Sequence, residues 1–212
     1  MTDHFVQFYE DDTFLITQVA AFIRSGLRAG DAIIVITTNQ RREDLEKRLR
    51  EDVSIPATQR PGGAQYVALD AADTLSKFMV EGHPIERRFA DLIGPILKRA
   101  AGDGIARIRV FGDMVGLLAA NGDHAAAIRL EEFWNNLAKT LPFSISLFCA
   151  YPMGAFPLDA DGVPFLTICN AHSRVGPTES YTPPADAQEH FTAIAVCQQK
   201  AYALKNEVAR RT

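Results

Sequence analysis

The run Ala32-Ile33-Ile34-Val35-Ile36 is apolar at every position and rich in β-branched side chains. A strand of that kind has no face to give to water. It belongs inside a sheet covered on both sides, which is the habit of parallel sheets. Around it, short strand-like runs alternate with longer amphipathic ones. His4 to Tyr9 alternates at period two, Gln65 to Leu69 and Ala106 to Phe111 are short strands, and Ser144 to Tyr151 is the last clear one. Between them Leu15, Val19, Phe22, Ile23 and Leu27 recur at helical spacing after a cap at Asp11 or Asp12, and Gly30 stands where that helix should end. Arg41 to Glu51 is a charged helix. Further helices fall near Ala72 to Met79, Ile85 to Ala101 and Val163 to Ser173. A long one capped by Asp123 carries Ala127, Leu130, Trp134, Leu137 and Leu141 on one stripe.

Strands and helices in alternation define an α/β fold: a mostly parallel sheet with helices on both faces. Ligands of such sheets bind at the carboxyl ends of the strands. The positions to inspect are therefore Tyr9 to Asp12, Thr37 to Asn39, Leu69 to Asp70, Gly112 to Met114 and Ala150 to Met153. One strand resists the scheme. Arg107 and Arg109 share a face, so that face must reach solvent or meet acids.

Composition excludes several classes of function. The formal charge is −4, which lacks the dense basic face of a nonspecific nucleic-acid binder. Three cysteines (Cys149, Cys169, Cys197) with no Cys-x-x-Cys exclude a disulfide framework and a cysteine-based zinc site, and suit buried packing in a reducing compartment. The acidic stretch from Met1 to Asp12 is no secretory signal, and no apolar run approaches the roughly 20 residues that span a bilayer. The expectation is a cytoplasmic chain with no membrane contact.

Familiar catalytic signatures are missing. No Gly-Lys pair exists to build a phosphate loop, and Tyr9-Glu10-Asp11-Asp12 puts three acids where phosphates would sit. No Gly-x-Gly-x-x-Gly and no Gly-x-Ser-x-Gly occurs. His83 and Glu86 lie three apart, but no second such motif completes a metal pair, so no metal and no other cofactor is expected. Asp113, directly after a strand, reads either as a base or Mg²⁺ ligand or as the cap of the helix beginning near Met114. Glu131 borders the apolar stripe of its helix and needs an Arg or a hydroxyl nearby if it is buried.

The last segment differs in kind. Ile194, Cys197, Ala201, Leu204 and Val208 follow one another at spacings of 3, 4, 3 and 4, a short heptad seam. This divides the chain into a unit over 1–184 and an amphipathic helix over 185–212, which either packs on its own domain or serves a homodimer or a signalling contact.

Several motifs occur together and in order. They are His4-x-x-x-Phe8-Tyr9-Glu10-Asp11, Phe22-Ile23-x-x-Gly26-Leu27-x-x-Gly30-Asp31 and Arg109-Val110-Phe111-Gly112-Asp113-Met114. Ala127-Ile128-Arg129-Leu130-Glu131-x-x-Trp134-Asn135, Cys149-Ala150-Tyr151-Pro152 and Ile168-Cys169-x-x-His172-Ser173 follow. As a set, over residues 4 to 181, they resemble the methanogen/methylotroph sensory (MEDS) domains. The resemblance implies a RecA/KaiC-like fold with a degenerate phosphate loop, small-molecule sensing and a histidine kinase or transcription regulator as partner. Asp113 stands where that family more often has Glu, which weakens any inherited catalytic role. About thirty residues follow Tyr181, so output is expected from a partner protein or the C-terminal helix. The combined reading is a non-catalytic sensory module with a ligand among Tyr9, Glu10, Asp113, Glu131, Trp134, Tyr151 and His172. Two alternatives stay open: a residual nucleotide-binding protein or hydrolase using Asp113 or Glu10, and a purely structural partner of a kinase or anti-sigma-type regulator.

Overall fold

The computed structural model describes residues 3–52, 66–102, 107–156 and 162–180. Its centre is a six-stranded sheet of β1 (Asp3–Tyr9), β2 (Ala32–Thr37), β3 (Tyr66–Asp70), β6 (Arg107–Gly112), β7 (Ser144–Pro152) and β8 (Arg174–Gly176). The order is β3-β2-β6-β7-β1-β8, and every pairing is parallel. The mostly parallel α/β sheet read from the sequence is therefore present, with the fully apolar β2 as an interior strand. β8 is an addition. Its three residues are too few to show a period, and it reads in the sequence as the end of a helix and the start of a loop.

Two cores fill the two faces. Leu15, Val19, Ile23 and Leu27 of α1 (Asp12–Ala29) and Leu45 and Leu49 of α2 (Asn39–Glu51) pack on Ile33, Val35, Phe111 and Phe148. The other face carries α3 (Ala71–Ser76), α4 (Glu86–Ala101), α5 (Met114–Ala120), α6 (His124–Thr140) and α7 (Val163–Ala171) against Val6, Ile34, Val110 and Leu147. Strand parity decides which side chain meets which core, since successive residues point to opposite faces. The helix ends follow local chemistry. Asp11 accepts from the Phe14 amide, Asp123 from that of Ala126, and Gly30 turns the chain at φ 77°, where an L side chain would be strained.

The segment expected as helix up to Met79 instead ends at Ser76. It gives way to a two-residue hairpin of β4 (Met79–Val80) and β5 (His83–Pro84). Glu81 and Gly82 both have positive φ, the backbone twist that a tight hairpin needs. The two arginines separate. Arg107 is exposed, whereas Arg109 lies against α1. Its Nε donates to Asp31 at 2.7 Å, and its Nη1 donates to the Phe22 carbonyl and the Ser25 hydroxyl. The acid that this face required is thus Asp31. The heptad-patterned segment 185–212 lies outside the described residues.

Candidate functional site

Parallel strands open a crevice where neighbours send their connections to opposite faces. β2 leads into α2 on one face and β6 into α5 on the other. β1 and β7 diverge in the same way, into α1 and toward α7. The carboxyl ends of β1, β2 and β6 carry Tyr9, Thr37 and Asp113, and Arg41 from the first turn of α2 reaches in among them.

Asp113 holds the N-terminal boundary of α5 but makes no capping bond with its side chain. Instead its carboxylate accepts from the Thr37 hydroxyl at 2.7 Å and from Arg41 Nη1. It is 2 % exposed. Arg41 Nη2 donates to the Tyr9 hydroxyl at 3.0 Å and to Asp12 at 2.7 Å, and the guanidinium carbon lies 5.5 Å from the centre of the Tyr9 ring. Burial pushes the Asp113 carboxyl above its ordinary value, against the pull of Arg41 and Thr37. Burial also raises the Tyr9 phenol to about 12, with Arg41 opposing. For Arg41 desolvation favours the neutral form, but Asp113, Tyr9 and Asp12 outweigh it and keep the cation. Its Nε is buried with no hydrogen-bond partner among the described residues.

The turn after β1 holds an anion of its own. The backbone amides of Glu10 and Asp11 both donate to the carboxylate of Glu179, and Ser180 donates its hydroxyl to the Glu10 carboxylate at 2.6 Å. The acidic side chains of this turn bond elsewhere, Asp11 to the Phe14 amide, Asp12 to Arg41 and Glu10 to Ser180, and the chain itself has filled the pair of amides. No spacing in the sequence hints at this contact across 169 positions.

A second polar group lies beneath the sheet on the α4–α7 face. Glu131 of α6 is wholly buried. Tyr151 donates its hydroxyl to Glu131 Oε1 at 2.7 Å, and the Cys149 thiol donates to Oε2 at 3.3 Å. His4 Nε2 stands 3.2 Å from Oε2, and His172 Nε2 stands 3.4 Å from Oε1. The hydroxyl that a buried Glu131 demanded is therefore Tyr151, with two imidazoles in addition. Both rings are oriented from outside. His172 Nδ1 lies 2.6 Å from the Ile168 carbonyl, which can only accept. His4 Nδ1 lies 2.9 Å from Asn135 Oδ1, and the Asn135 amide nitrogen donates to the Ala171 carbonyl, which fixes the amide's orientation. Each Nδ1 thus carries its proton, and each Nε2 faces the carboxylate. Burial would raise Glu131, but the imidazoles of His172 and His4 facing it hold its carboxyl well below the usual range. Desolvation works against a charged His172, yet Glu131 lifts that imidazole above its ordinary value. Burial and the Glu131 charge push the Cys149 thiol and the Tyr151 phenol well up.

The residues expected in one pocket thus fall in several places. Tyr9 and Asp113 meet at the carboxyl edge through Arg41. Glu131, Tyr151 and His172 meet below the sheet. Trp134 joins neither group; it packs edge-on against Phe89 in the core, 5.0 Å between ring centres. Glu10 is exposed beside Glu179. Sequence reasoning passed over Arg41, His4 and Cys149 as site residues. The available signal was parity: His4 shares a face with Val6 and Phe8, and Cys149 shares one with Tyr151, so a histidine and a thiol had to face the core that receives Glu131.

No helix among the described residues is long and apolar enough to cross a membrane. No curated protein matches the chain. The family model described as MEDS, the MEthanogen/methylotroph, DcmR Sensory domain, matches residues 3–161. That span is most of the chain and holds β1 through β7, α1 through α6 and every residue of the carboxyl-edge group, so the chain belongs to the MEDS sensory-domain family.

Proposed function

We propose that this chain is a non-catalytic sensory module that binds a small molecule at the carboxyl edge of its sheet and passes the event to a regulatory partner. Family membership supplies the sensory role. The observation that carries the rest is the state of Asp113. A general base or a metal-binding carboxylate needs a lone pair aimed at substrate. Oδ2 of the Asp113 carboxylate accepts from both Thr37 and Arg41, and the residue is buried away from solvent. The amides that would face a phosphate after β1 are likewise held by Glu179.

Arg41 is the group most suited to answer a ligand. It bridges three elements through Asp12, Tyr9 and Asp113, and its Nε has hydrogen-bonding capacity left over. A small acceptor-bearing molecule that engages it would compete with Asp12, the exposed partner, and so favour a second arrangement of the α1 and α2 starts. A ligand shifts such an equilibrium only by its differential affinity for the two arrangements. The partner is a histidine kinase or a transcription regulator, as the family resemblance implies. The 185–212 segment is the part suited to reach it.

Thermal-shift measurements with small metabolites and halogenated or methylated compounds test this reading. The expected result is a rise in melting temperature that Arg41→Gln abolishes, with no ATP or GTP turnover in the presence of Mg²⁺. A compound at 100 times its Kd stabilises by about 2.7 kcal/mol, which is well within reach of the method. Nucleotide turnover that Asp113→Asn removes would overturn the reading in favour of an enzyme.

A further inference from the structure

The group below the sheet has no part in the carboxyl-edge reading, yet among the described residues it gathers four metal-ligating side chains in the core. His4, Glu131, Cys149 and His172 come from β1, α6, β7 and the residue after α7, and one donor atom of each lies within 4.8 Å of all the others. With both Nδ1 atoms protonated, the two Nε2 atoms face a carboxylate that offers only lone pairs. Positive charge must sit between them, supplied by protons on the imidazoles or by one metal ion. At His172 the protein's own contacts fall short of a hydrogen bond. His172 Nε2 is buried without a hydrogen-bond partner among the described residues, on a side chain with no solvent exposure.

We propose that His4 Nε2, His172 Nε2, Cys149 Sγ and a Glu131 carboxylate oxygen form a closed, mononuclear site for a divalent transition metal of the zinc class. The donor set is the one that ion takes: imidazole nitrogen, thiolate sulfur and carboxylate oxygen. Nitrogen and sulfur donors exclude calcium and magnesium, which demand oxygen shells. The spacing fits too. Bonds of about 2.0–2.3 Å in a tetrahedron set neighbouring donors about 3.3–3.7 Å apart. Here His4 Nε2 and Cys149 Sγ lie 3.2 Å and 3.3 Å from Glu131 Oε2 and 3.3 Å from each other; His172 Nε2 lies 3.4 Å from the other oxygen, Oε1, and one donor atom of each residue falls within 4.8 Å of all the rest.

An outer ring of hydrogen bonds completes the arrangement. The Ile168 carbonyl and Asn135 hold the two imidazoles by Nδ1, and the Tyr151 hydroxyl holds the second oxygen of Glu131. Metal-bound histidines and carboxylates are oriented in this way, and the orientation supports affinity. On binding, the Cys149 thiol gives its proton to solvent and its sulfur to the metal. Four protein donors leave no position for substrate, so the metal is structural. It fastens the end of α7 to β1 beside the Ser173 amide bond to the His4 carbonyl. It thereby anchors the strap that runs on to Glu179.

Cobalt is the probe, because a tetrahedral Co²⁺ thiolate site is coloured. The full chain is stripped with a chelator and titrated with Co²⁺, and its metal content as purified is measured by mass spectrometry. The expected result is one metal per chain, intense tetrahedral d–d bands and a thiolate charge-transfer band, all displaced by Zn²⁺. Cys149→Ser should remove the charge-transfer band, and His172→Gln should weaken Co²⁺ by more than about a hundredfold. Asn135→Leu, which touches only the outer ring, should weaken it by about 10–100-fold. Cys169→Ser should change nothing. The proposal is overturned by a wild-type chain that yields no stoichiometric Co²⁺ spectrum. It is equally overturned by Co²⁺ bound without the charge-transfer band, or bound as tightly in His172→Gln as in wild type. The wild-type spectrum decides even where a variant fails to fold, and its outcome is independent of any ligand at the carboxyl edge.

Discussion

Single residues show how close the tolerances are. Gly26 lies in α1 directly under Arg109. A Cβ there would come 2.4 Å from Arg109 Cδ and 2.7 Å from its Nε, and that side chain cannot retreat because Asp31, Phe22 and Ser25 hold its head. Gly26→Ala should therefore destabilise by about 1–3 kcal/mol in chemical denaturation, although alanine is the better helix former. Replacing Arg109 by Met in the same chain should recover part of that loss. Tyr9 supplies a pH dependence. Its phenol is raised from 10.0 to about 12 by burial. Above pH 10 the unfolded chain loses that proton before the folded chain does, so stability is complete below pH 10 and falls until about pH 12. Denaturation between pH 9 and 12 should show a decline of about 2 kcal/mol from this group. Tyr9→Phe should be less stable at pH 8 but flatter across the window. An equal slope in the variant would assign the decline to other groups, Tyr66 among them.

At the scale of elements, the strap after β8 and the turn after β1 form one unit. Glu179 is exposed, yet it accepts from two backbone amides of the α1 entry, so its contribution is local. Glu179→Gln should leave the melting temperature within about 1 °C, consistent with an exposed charged contact worth little globally. Amide exchange at Glu10 and Asp11 should accelerate severalfold; unchanged exchange there would separate the strap from the turn. Secondary structure was largely legible in the sequence. The continuous apolar run of β2, the stripe of α6 and the caps at Asp11 and Asp123 are local patterns that read the same before and after folding. The elements that were not legible are short. Two residues of β4 and three of β8 carry no period, and only pairing partners make them strands.

For the whole molecule, one sheet serves two cores. A strand such as β7 gives Leu147 to one side and Phe148 to the other, so neither core can open while the other keeps its packing. Unfolding should be a single cooperative transition. The chain has one tryptophan, Trp134, and it sits in the α4–α7 core. Its fluorescence and the far-ultraviolet circular dichroism should report the same midpoint. Gly26→Ala, placed in the opposite core, should move both equally. A fluorescence midpoint that ignores Gly26→Ala would show two units where the shared sheet implies one.

By itself the sequence determined which faces are buried. Hydrophobic period is a property of neighbours along the chain, and it assigned β2, β7, α1 and α6 to a covered parallel sheet. It also marked Tyr9, Asp113 and Glu131 as polar groups in demanding places. Only the tertiary structure decided their company. Strand order is set by how helices cross the sheet, and that order put β1 between β7 and β8. From this it follows that His4 meets Cys149 and His172 across 145 and 168 positions of chain, and that Arg41, one of many charges on a polar helix, is the one that reaches Asp113. Charge and hydrogen bonding act through space, and the distances they need are fixed only when the layers close.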